Sequence, residues 1–253
     1  MHPLISISIQ LDPSLILDEL GITPDAWQRR VLRSRSERML LNCHRQAGKS
    51  TATAGLAINT VLQEDDALVL VVSASLRQSK ELFRKIVRAY AFLGSPIPTV
   101  EDNAVTLALA NGSRVVSLPD NDETLVGYSA PRLIIIDEGA LTSDATAMAV
   151  QPMLAISRGR LVAMSTPRGR RGWFSDAWHD QGDSWERIEF KAIDNPRIDP
   201  AWLAEQRIIL GPRWFGQEFC CEFNEGVGQV FSDETIDAAF SSDRPALFGS
   251  LAS

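Results

Sequence analysis

The stretch Cys43-His44-Arg45-Gln46-Ala47-Gly48-Lys49-Ser50 combines residue types that can hold a nucleoside triphosphate. It follows the apolar run Met39-Leu40-Leu41 and precedes a segment with helical patterning, Thr51 to Leu62. A strand, a loop of small residues ending in Gly-Lys-Ser, and a helix is the sequence form of a phosphate loop. Backbone N–H groups of such a loop and the positive end of its helix face the phosphates. On this reading ATP is bound by Arg45, Gln46, Ala47, Gly48, Lys49, Ser50 and Thr51. Lys49 reaches the β- and γ-phosphates, and the Ser50 hydroxyl ligates Mg²⁺. One position departs from the usual pattern: the glycine expected six residues before the lysine is Cys43.

Two further constellations fit the same chemistry. The apolar run Leu133-Ile134-Ile135-Ile136 ends in Asp137-Glu138. A buried strand that delivers paired carboxylates at its end forms the second half of a nucleoside triphosphatase site. Asp137 is expected opposite Ser50, holding Mg²⁺, and Glu138 is expected to polarise the attacking water. Ser165-Thr166-Pro167-Arg168-Gly169 closes a later apolar strand. Ligands of open α/β sheets lie at the carboxyl ends of the strands, so Ser165 and Thr166 are placed to sense the γ-phosphate. Taken alone, Asp137-Glu138 would read as an acidic turn and Ser165 to Gly169 as an ordinary Pro-Gly turn. Arg45 can neutralise transition-state charge from within the loop, which makes Glu138, Arg45 and Lys49 the expected catalytic groups. Trp27 and Gln28, just before the first strand, are candidates to flank and read the adenine ring.

The rest of the chain must position these groups. Its 253 residues, 45% hydrophobic and 23% charged, suit one large soluble α/β domain with a small appended subdomain. Three cysteines, Cys43, Cys220 and Cys221, form neither a disulfide framework nor a zinc spacing and read as reduced thiols. Met1 to Leu11 lacks a basic start and soon meets Asp12, so no signal peptide is expected, nor any membrane span. The net charge of −7 argues against coating nucleic acid through bulk charge. Arginines are nevertheless clustered, at Arg29, Arg30, Arg33, Arg35 and Arg38 and again at Arg158, Arg160, Arg168, Arg170 and Arg171. Such clusters are either solvated ion-pair networks or phosphate contacts.

Thr23-Pro24 reads as a helix start, with threonine as cap and proline in the first turn. Strands are expected over Arg38 to Cys43, Ala67 to Val72, Arg132 to Asp137 and Arg160 to Met164, with helices around Leu82 to Tyr90 and Asp144 to Ala155. Asn111-Gly112 between alternating segments predicts a hairpin. Strands alternating with helices imply a mostly parallel sheet covered on both faces. After Gly172 the pattern changes. Several aromatics precede a strand at Ser184 to Lys191 and helices at Pro200 to Leu210 and Pro212 to Phe223, punctuated by Gly211-Pro212. We expect a core over residues 1–171, a lid or linker over 172–231, and a loosely ordered tail over 232–253.

Taken in order, these motifs resemble the ATPase domain of bacteriophage and prophage large terminase subunits. The resemblance runs from about Thr23 to Phe231. It is carried by Trp27-Gln28, Arg45 to Ser50, Thr124-Leu125-Val126-Gly127-Tyr128, Ile134 to Ala140, Gln151-Pro152-Met153-Leu154, Ser165 to Gly169, Asp194-Asn195-Pro196 and Glu218 to Phe223. The form Arg-x-x-Gly-Lys-Ser without the first glycine is characteristic of that family. The resemblance implies an ASCE-type P-loop NTPase fold and a Mg²⁺-dependent ATPase that drives double-stranded DNA into a procapsid. Arg45 would be the phosphate-loop arginine, Glu138 the catalytic carboxylate, Gln28 the adenine reader, and Ser165-Thr166-Pro167 the motif coupling hydrolysis to motion. It further implies a portal protein and a small terminase subunit as partners, a ring of identical subunits, the host cytoplasm as location, and no membrane.

Two departures bear on these expectations. The family often carries a trans-acting arginine just before Gly127, and here that residue is Val126. Arg132 or an arginine near Arg158 would have to replace it. The family also continues into an RNase H-like nuclease. Asp233 and Asp237 follow Phe231, but no strand pattern with spaced carboxylates accompanies them, so no nuclease activity is expected of this chain. Weak, salt-sensitive DNA binding is expected of the isolated chain. Two alternatives stand beside the motor: a helicase-like or remodelling P-loop ATPase, and a non-catalytic prophage-derived assembly module.

Overall fold

The computed structural model describes residues 3–224. It opens with α1 (Pro3–Leu11), α2 (Leu15–Glu19), α3 (Ala26–Arg33), β1 (Arg38–Cys43) and α4 (Lys49–Gln63). Next come β2 (Leu68–Ser73), α5 (Leu76–Phe92), β3 (Thr99–Asp102), β4 (Thr106–Leu109) and β5 (Arg114–Pro119). Then follow α6 (Asp122–Val126), β6 (Leu133–Asp137), α7 (Asp144–Ser157), β7 (Arg160–Ser165), α8 (Trp173–His179), β8 (Glu186–Phe190) and α9 (Pro200–Phe219). The strands form one sheet in the order β3-β4-β5-β2-β6-β7-β1-β8. The pairs from β5 to β8 are parallel, whereas β3 with β4 and β4 with β5 are antiparallel.

The continuous apolar runs follow from burial on both faces. Met39 and Leu41, Val69 and Val71, Leu133 and Ile135, and Val162 and Met164 enter one core. Leu40, Leu70, Val72, Ile134, Ile136, Leu161 and Ala163 point the other way into a second core. Each strand therefore divides its apolar residues between two layers, which is why a simple polar–apolar alternation is absent. Helix α4 lies close on the first face. On its other side Gly55 lets α2 pack close, because a Cβ there would stand 3.1 Å from Leu17 Cδ2 and 3.2 Å from Ile16 Cγ2. At the hairpin, Gly112 has φ +81 and an added Cβ would meet Asp66 Oδ1 at 2.0 Å. Both the turn and the neighbouring loop thus require glycine.

Several expectations need correction. Helix α3 begins at Ala26, with Asp25 rather than Thr23 as its cap. Gln28 decides this, because a glutamine at the third helical position closes a capping box with Asp25. Strand β3 carries no sequence signal: its residues are all exposed, so no buried apolar pattern marks them. Strand β8, expected in a separate lid, is the edge strand of the core sheet, with Met39 opposite Glu186 and Cys43 opposite Phe190. A boundary at residue 172 therefore cuts through the sheet. Gly211 breaks α9 as expected, with φ 72 and ψ 164, ahead of Pro212. The tail at 232–253, together with Phe231, Asp233 and Asp237, lies outside the described residues. Among the described residues no helix is long and apolar enough to cross a membrane.

Candidate nucleotide site

The parallel register gathers the predicted groups at one end of the sheet. Asn42 of β1 stands opposite Ser165 of β7, and Met164 of β7 stands opposite Asp137 of β6. Strand β7 thus lies between the phosphate-loop strand and the acidic strand. The loop after β1, the Asp137-Glu138 pair and Ser165-Thr166 consequently emerge side by side.

The phosphate loop is held from within. Gln46 at φ 61 and Gly48 at φ 94 take left-handed conformations, which curve the loop. Cys43 has no such requirement: it is the last residue of β1, wholly buried and extended against Phe190. The missing glycine is thereby explained, since the strand continues through that position. Burial pushes the Cys43 thiol up to about 12, which leaves it inert. The buried Lys49 Nζ donates to Cys43 O at 2.8 Å, His44 O at 3.1 Å and Thr166 Oγ1 at 3.3 Å. An ammonium has three protons, and all three are directed by the residues at and just after the ends of β1 and β7. Ser50 and Thr51, in the first turn of α4, are half-buried at the mouth of the loop.

The carboxylates sit in different surroundings. Asp137 is raised to about 7, first by desolvation and next by the neighbouring Glu138, with Lys49 opposing. Glu138 takes a left-handed φ of 53, a conformation that costs an L-residue about 1–2 kcal/mol. Its Oε2 lies 3.4 Å from Ser165 Oγ. The Ser165 hydroxyl makes its shorter contact with Thr166 O, at 2.8 Å, and accepts from the Ala140 N–H at 3.2 Å. Pro167 is buried directly after this pair. Strand β7 therefore touches both the lysine and the acidic turn.

Three expected nucleotide contacts are engaged elsewhere. The Trp27 ring is buried and stacks on Phe190 with centroids 5.5 Å apart, so its face is not open to a base. Gln28 is also buried; its Oε1 accepts the Asp25 N–H at 2.9 Å and its Nε2 donates to Gly48 O at 3.3 Å. It joins the start of α3 to the phosphate loop, and reading adenine would require one of these bonds to break. Arg45 is mostly exposed and ion-pairs with Glu218 of α9 at 3.5 Å, while its N–H donates to Glu218 O at 3.2 Å. Asn195 Nδ2 lies 3.2 Å from His44 Nε2. Burial lowers the His44 pKa, which suits a neutral ring accepting from Asn195. The contacts of Glu218 and Asn195 with the loop are not foreseeable from sequence, because no spacing rule links residues so far apart.

The family model described as "Terminase large subunit, T4likevirus-type, N-terminal" matches residues 41–238. The chain belongs to this terminase family. It is 29% identical over 240 residues to the terminase large subunit of Escherichia phage T5, covering 88% of this chain and 53% of that protein. The chain thus spans about half the length of the curated relatives it matches. The fold is that of the large terminase ATPase domain of Thermus phage P74-26, with a TM-score of 0.72 at 18% identity, over 82% of this chain and 96% of that one. A large terminase from another thermophilic bacteriophage, solved in complex with ADP, matches with a TM-score of 0.65 at 12% identity, over 79% of this chain and 54% of that one. In this terminase chain Val126 is largely exposed at the end of α6. Arg132 and Arg158, the arginines named as possible replacements, flank the opposite ends of β6 and β7 from the phosphate loop, and Arg132 is ion-paired with Glu64.

Proposed function

We propose that this chain is the ATP-hydrolysing motor part of a DNA-packaging terminase, moving double-stranded DNA into a procapsid. The observation that carries this reading is the convergence of Lys49, Asp137-Glu138 and Ser165-Thr166 at the carboxyl ends of three neighbouring parallel strands. Membership of the terminase family supports it, as do the ATPase domain and the ADP complex among proteins of the same fold.

In this mechanism the loop N–H groups and Lys49 hold the β- and γ-phosphates. Glu138 takes a proton from a water as its oxygen bonds to the γ-phosphorus, and the bond to the β-phosphate oxygen breaks to release ADP. Arg45 leaves Glu218 to meet the charge that develops on the γ-phosphoryl oxygens. The residues fit a Mg²⁺ ion: the Asp137 carboxyl is disfavoured as an anion in the free protein and would be favoured as one beside a cation. Among the described residues no three His, Cys, Asp or Glu side chains cluster to hold a metal. Ser50 and Asp137 would therefore hold Mg²⁺ together with the phosphates, and the ion would neutralise phosphate charge. The Ser165-Thr166-Pro167 segment joins Lys49 to the Glu138 turn and is the proposed coupling element, with the segment from α8 onward as the lid. The remaining partners are the portal protein, the small terminase subunit and further copies of this chain in a ring, working in the host cytoplasm.

The test is phosphate release from ATP measured against protein concentration, with and without double-stranded DNA. We expect magnesium-dependent hydrolysis that rises more steeply than linearly with protein and increases further with DNA. A thermal shift on ATP without phosphate release under any of these conditions would instead support a non-catalytic assembly module.

A further inference from the structure

A cavity of about 890 Å³ lies at the opposite end of the same strands. It opens between the α1–α2 corner, the segment after α3, the last turns of α4 and the starts of β6 and β7. From Arg132 to Asp137 the chain rises five strand residues, about 16 Å at roughly 3.3 Å each. The cavity is therefore separate from the nucleotide site. Its volume falls within the range of small-molecule pockets, about 300–1,000 Å³.

Five guanidinium groups line it: Arg33, Arg35, Arg132, Arg158 and Arg160. Arg33 is spent on Asp12 in a two-pronged pair, and Arg132 on Glu64. The other three have no ion-pair partner on the cavity wall, and only Glu186, outside the wall, acts on the Arg160 charge. The side chains of Arg35 and Arg158 are exposed, with no hydrogen-bond or ion-pair partner among the described residues. Arg160 donates from Nε to Ser36 O at 3.1 Å but buries Nη2 without an acceptor. The one remaining carboxylate on the wall is Glu37, which has no ion pair among the described residues. Three cations thus face one anion, in a protein whose net charge is −7.

Backbone geometry adds an independent observation. Arg158 ends α7 in the left-handed region, with φ 49 and ψ 36, where glycine or asparagine is favoured. Gly159 follows against Pro131 O, which a Cβ would approach to 2.1 Å. The chain therefore places a long unpaired cation, in a strained conformation, on the cavity rim. Strain held at an unpaired charged residue points toward function.

We propose that this cavity is a second anion site that takes a phosphorylated ligand of nucleotide size. A phosphate monoester near neutral pH carries close to two negative charges and three acceptor oxygens, which matches the local excess of two positive charges, the two unpaired guanidinium groups and the idle Arg160 Nη2. A single carboxylate supplies one charge and two oxygens. The phosphate can come from a free nucleotide or from the 5′ end of a DNA strand, since both present the same group to the arginines. Burial disfavours the charged form of Arg160, and an anion against Nη2 would offset that cost.

The test uses a Lys49→Ala chain without Mg²⁺, so that the phosphate loop contributes little. Calorimetric titrations are run with inorganic pyrophosphate, ADP, and 5′-phosphorylated and 5′-hydroxyl forms of one oligonucleotide. We expect saturable one-site binding of pyrophosphate, weakened at least tenfold by Arg35→Gln and by Arg158→Gly. Because Arg158→Gly relieves the left-handed strain, its melting temperature should not fall, which separates lost binding from lost folding. Tighter binding of ADP identifies a free nucleotide as the source, and binding of only the phosphorylated oligonucleotide identifies a DNA end. Failure of all these probes to bind at millimolar concentration would overturn the proposal. So would binding that neither substitution weakens, or a site that takes poly-glutamate but no phosphate.

Discussion

The two ends of strands β1, β6 and β7 are built from similar materials and differ in how their charges are satisfied. At the carboxyl ends the buried Lys49 ammonium has three protein acceptors, and Gln28 ties α3 to Gly48. At the amino ends Arg35 and Arg158 lack partners among the described residues, and Arg160 buries an idle Nη2. The first end is organised before any ligand arrives, so little reorganisation is needed when phosphate replaces part of that network. The second end holds its cations apart without compensation. Preorganisation requires residues close in sequence or in strand register, and it leaves short motifs. An open charged cavity is assembled from distant segments and shows in the sequence only as two arginine clusters without a fixed spacing.

The contrast can be broken most severely at Lys49. Lys49→Ala removes the one buried cation that joins β1 to β7, and ATP turnover should fall below detection, with at least a roughly thousandfold loss in kcat/KM. Malachite-green phosphate assays over a range of ATP concentrations read this directly, and a kcat/KM within tenfold of the wild type would place the chemistry elsewhere. A smaller effect is expected at Asp137. Its folded-state carboxyl titrates at about 7, above the ordinary 3.8, so folding favours the protonated form. That contribution is complete below about pH 4, is lost as pH rises toward 7, and is level beyond; between the two values it falls by about 1.4 kcal/mol for each pH step of one. In EDTA, without nucleotide, the wild type should lose more melting temperature between pH 5 and pH 8 than Asp137→Asn does. Equal losses would mean that the aspartate is not desolvated. The mildest effect is expected at Gly48→Ala. The left-handed φ of 94 costs alanine about 1–2 kcal/mol, and the new Cβ would stand 2.7 Å from Gln28 Nε2. A drop of about 2–8 °C in melting temperature is expected, since each kcal/mol moves the melting point of a domain of this size by about 2–4 °C. An unchanged melting curve would show that the loop relaxes without strain.

Much of the nucleotide end was legible in the sequence because its pieces are local. The runs before Cys43, Asp137 and Ser165 are continuous and apolar, which marks strands buried on both faces, and each ends in polar groups at the same end of the sheet. The replacement of the first glycine by Cys43 makes sense once β1 is seen to run through that residue. What could not be read depends on contacts between distant segments. Trp27 reads as available to a base, but Phe190 of β8 covers its ring. Arg45 reads as poised to meet the γ-phosphate from within the loop, and Glu218 of α9 holds it. Strand β8 shows its own pattern but not its place beside β1, because parallel pairing leaves no turn signal between partners. The capping role of Gln28 is visible in principle, since a glutamine three residues after an aspartate is a helix-start signature.

The most direct test of the central claim concerns Glu138, the strained carboxylate beside Ser165. Single-turnover hydrolysis and ATP binding should be measured side by side for the wild type and Glu138→Gln. If Glu138 takes the proton from the attacking water, the amide variant will bind ATP with wild-type affinity within about threefold. It will hydrolyse ATP at least a hundredfold more slowly, the lower bound of a general-base contribution of about 10²–10⁴. Hydrolysis by Glu138→Gln at the wild-type rate would contradict the account.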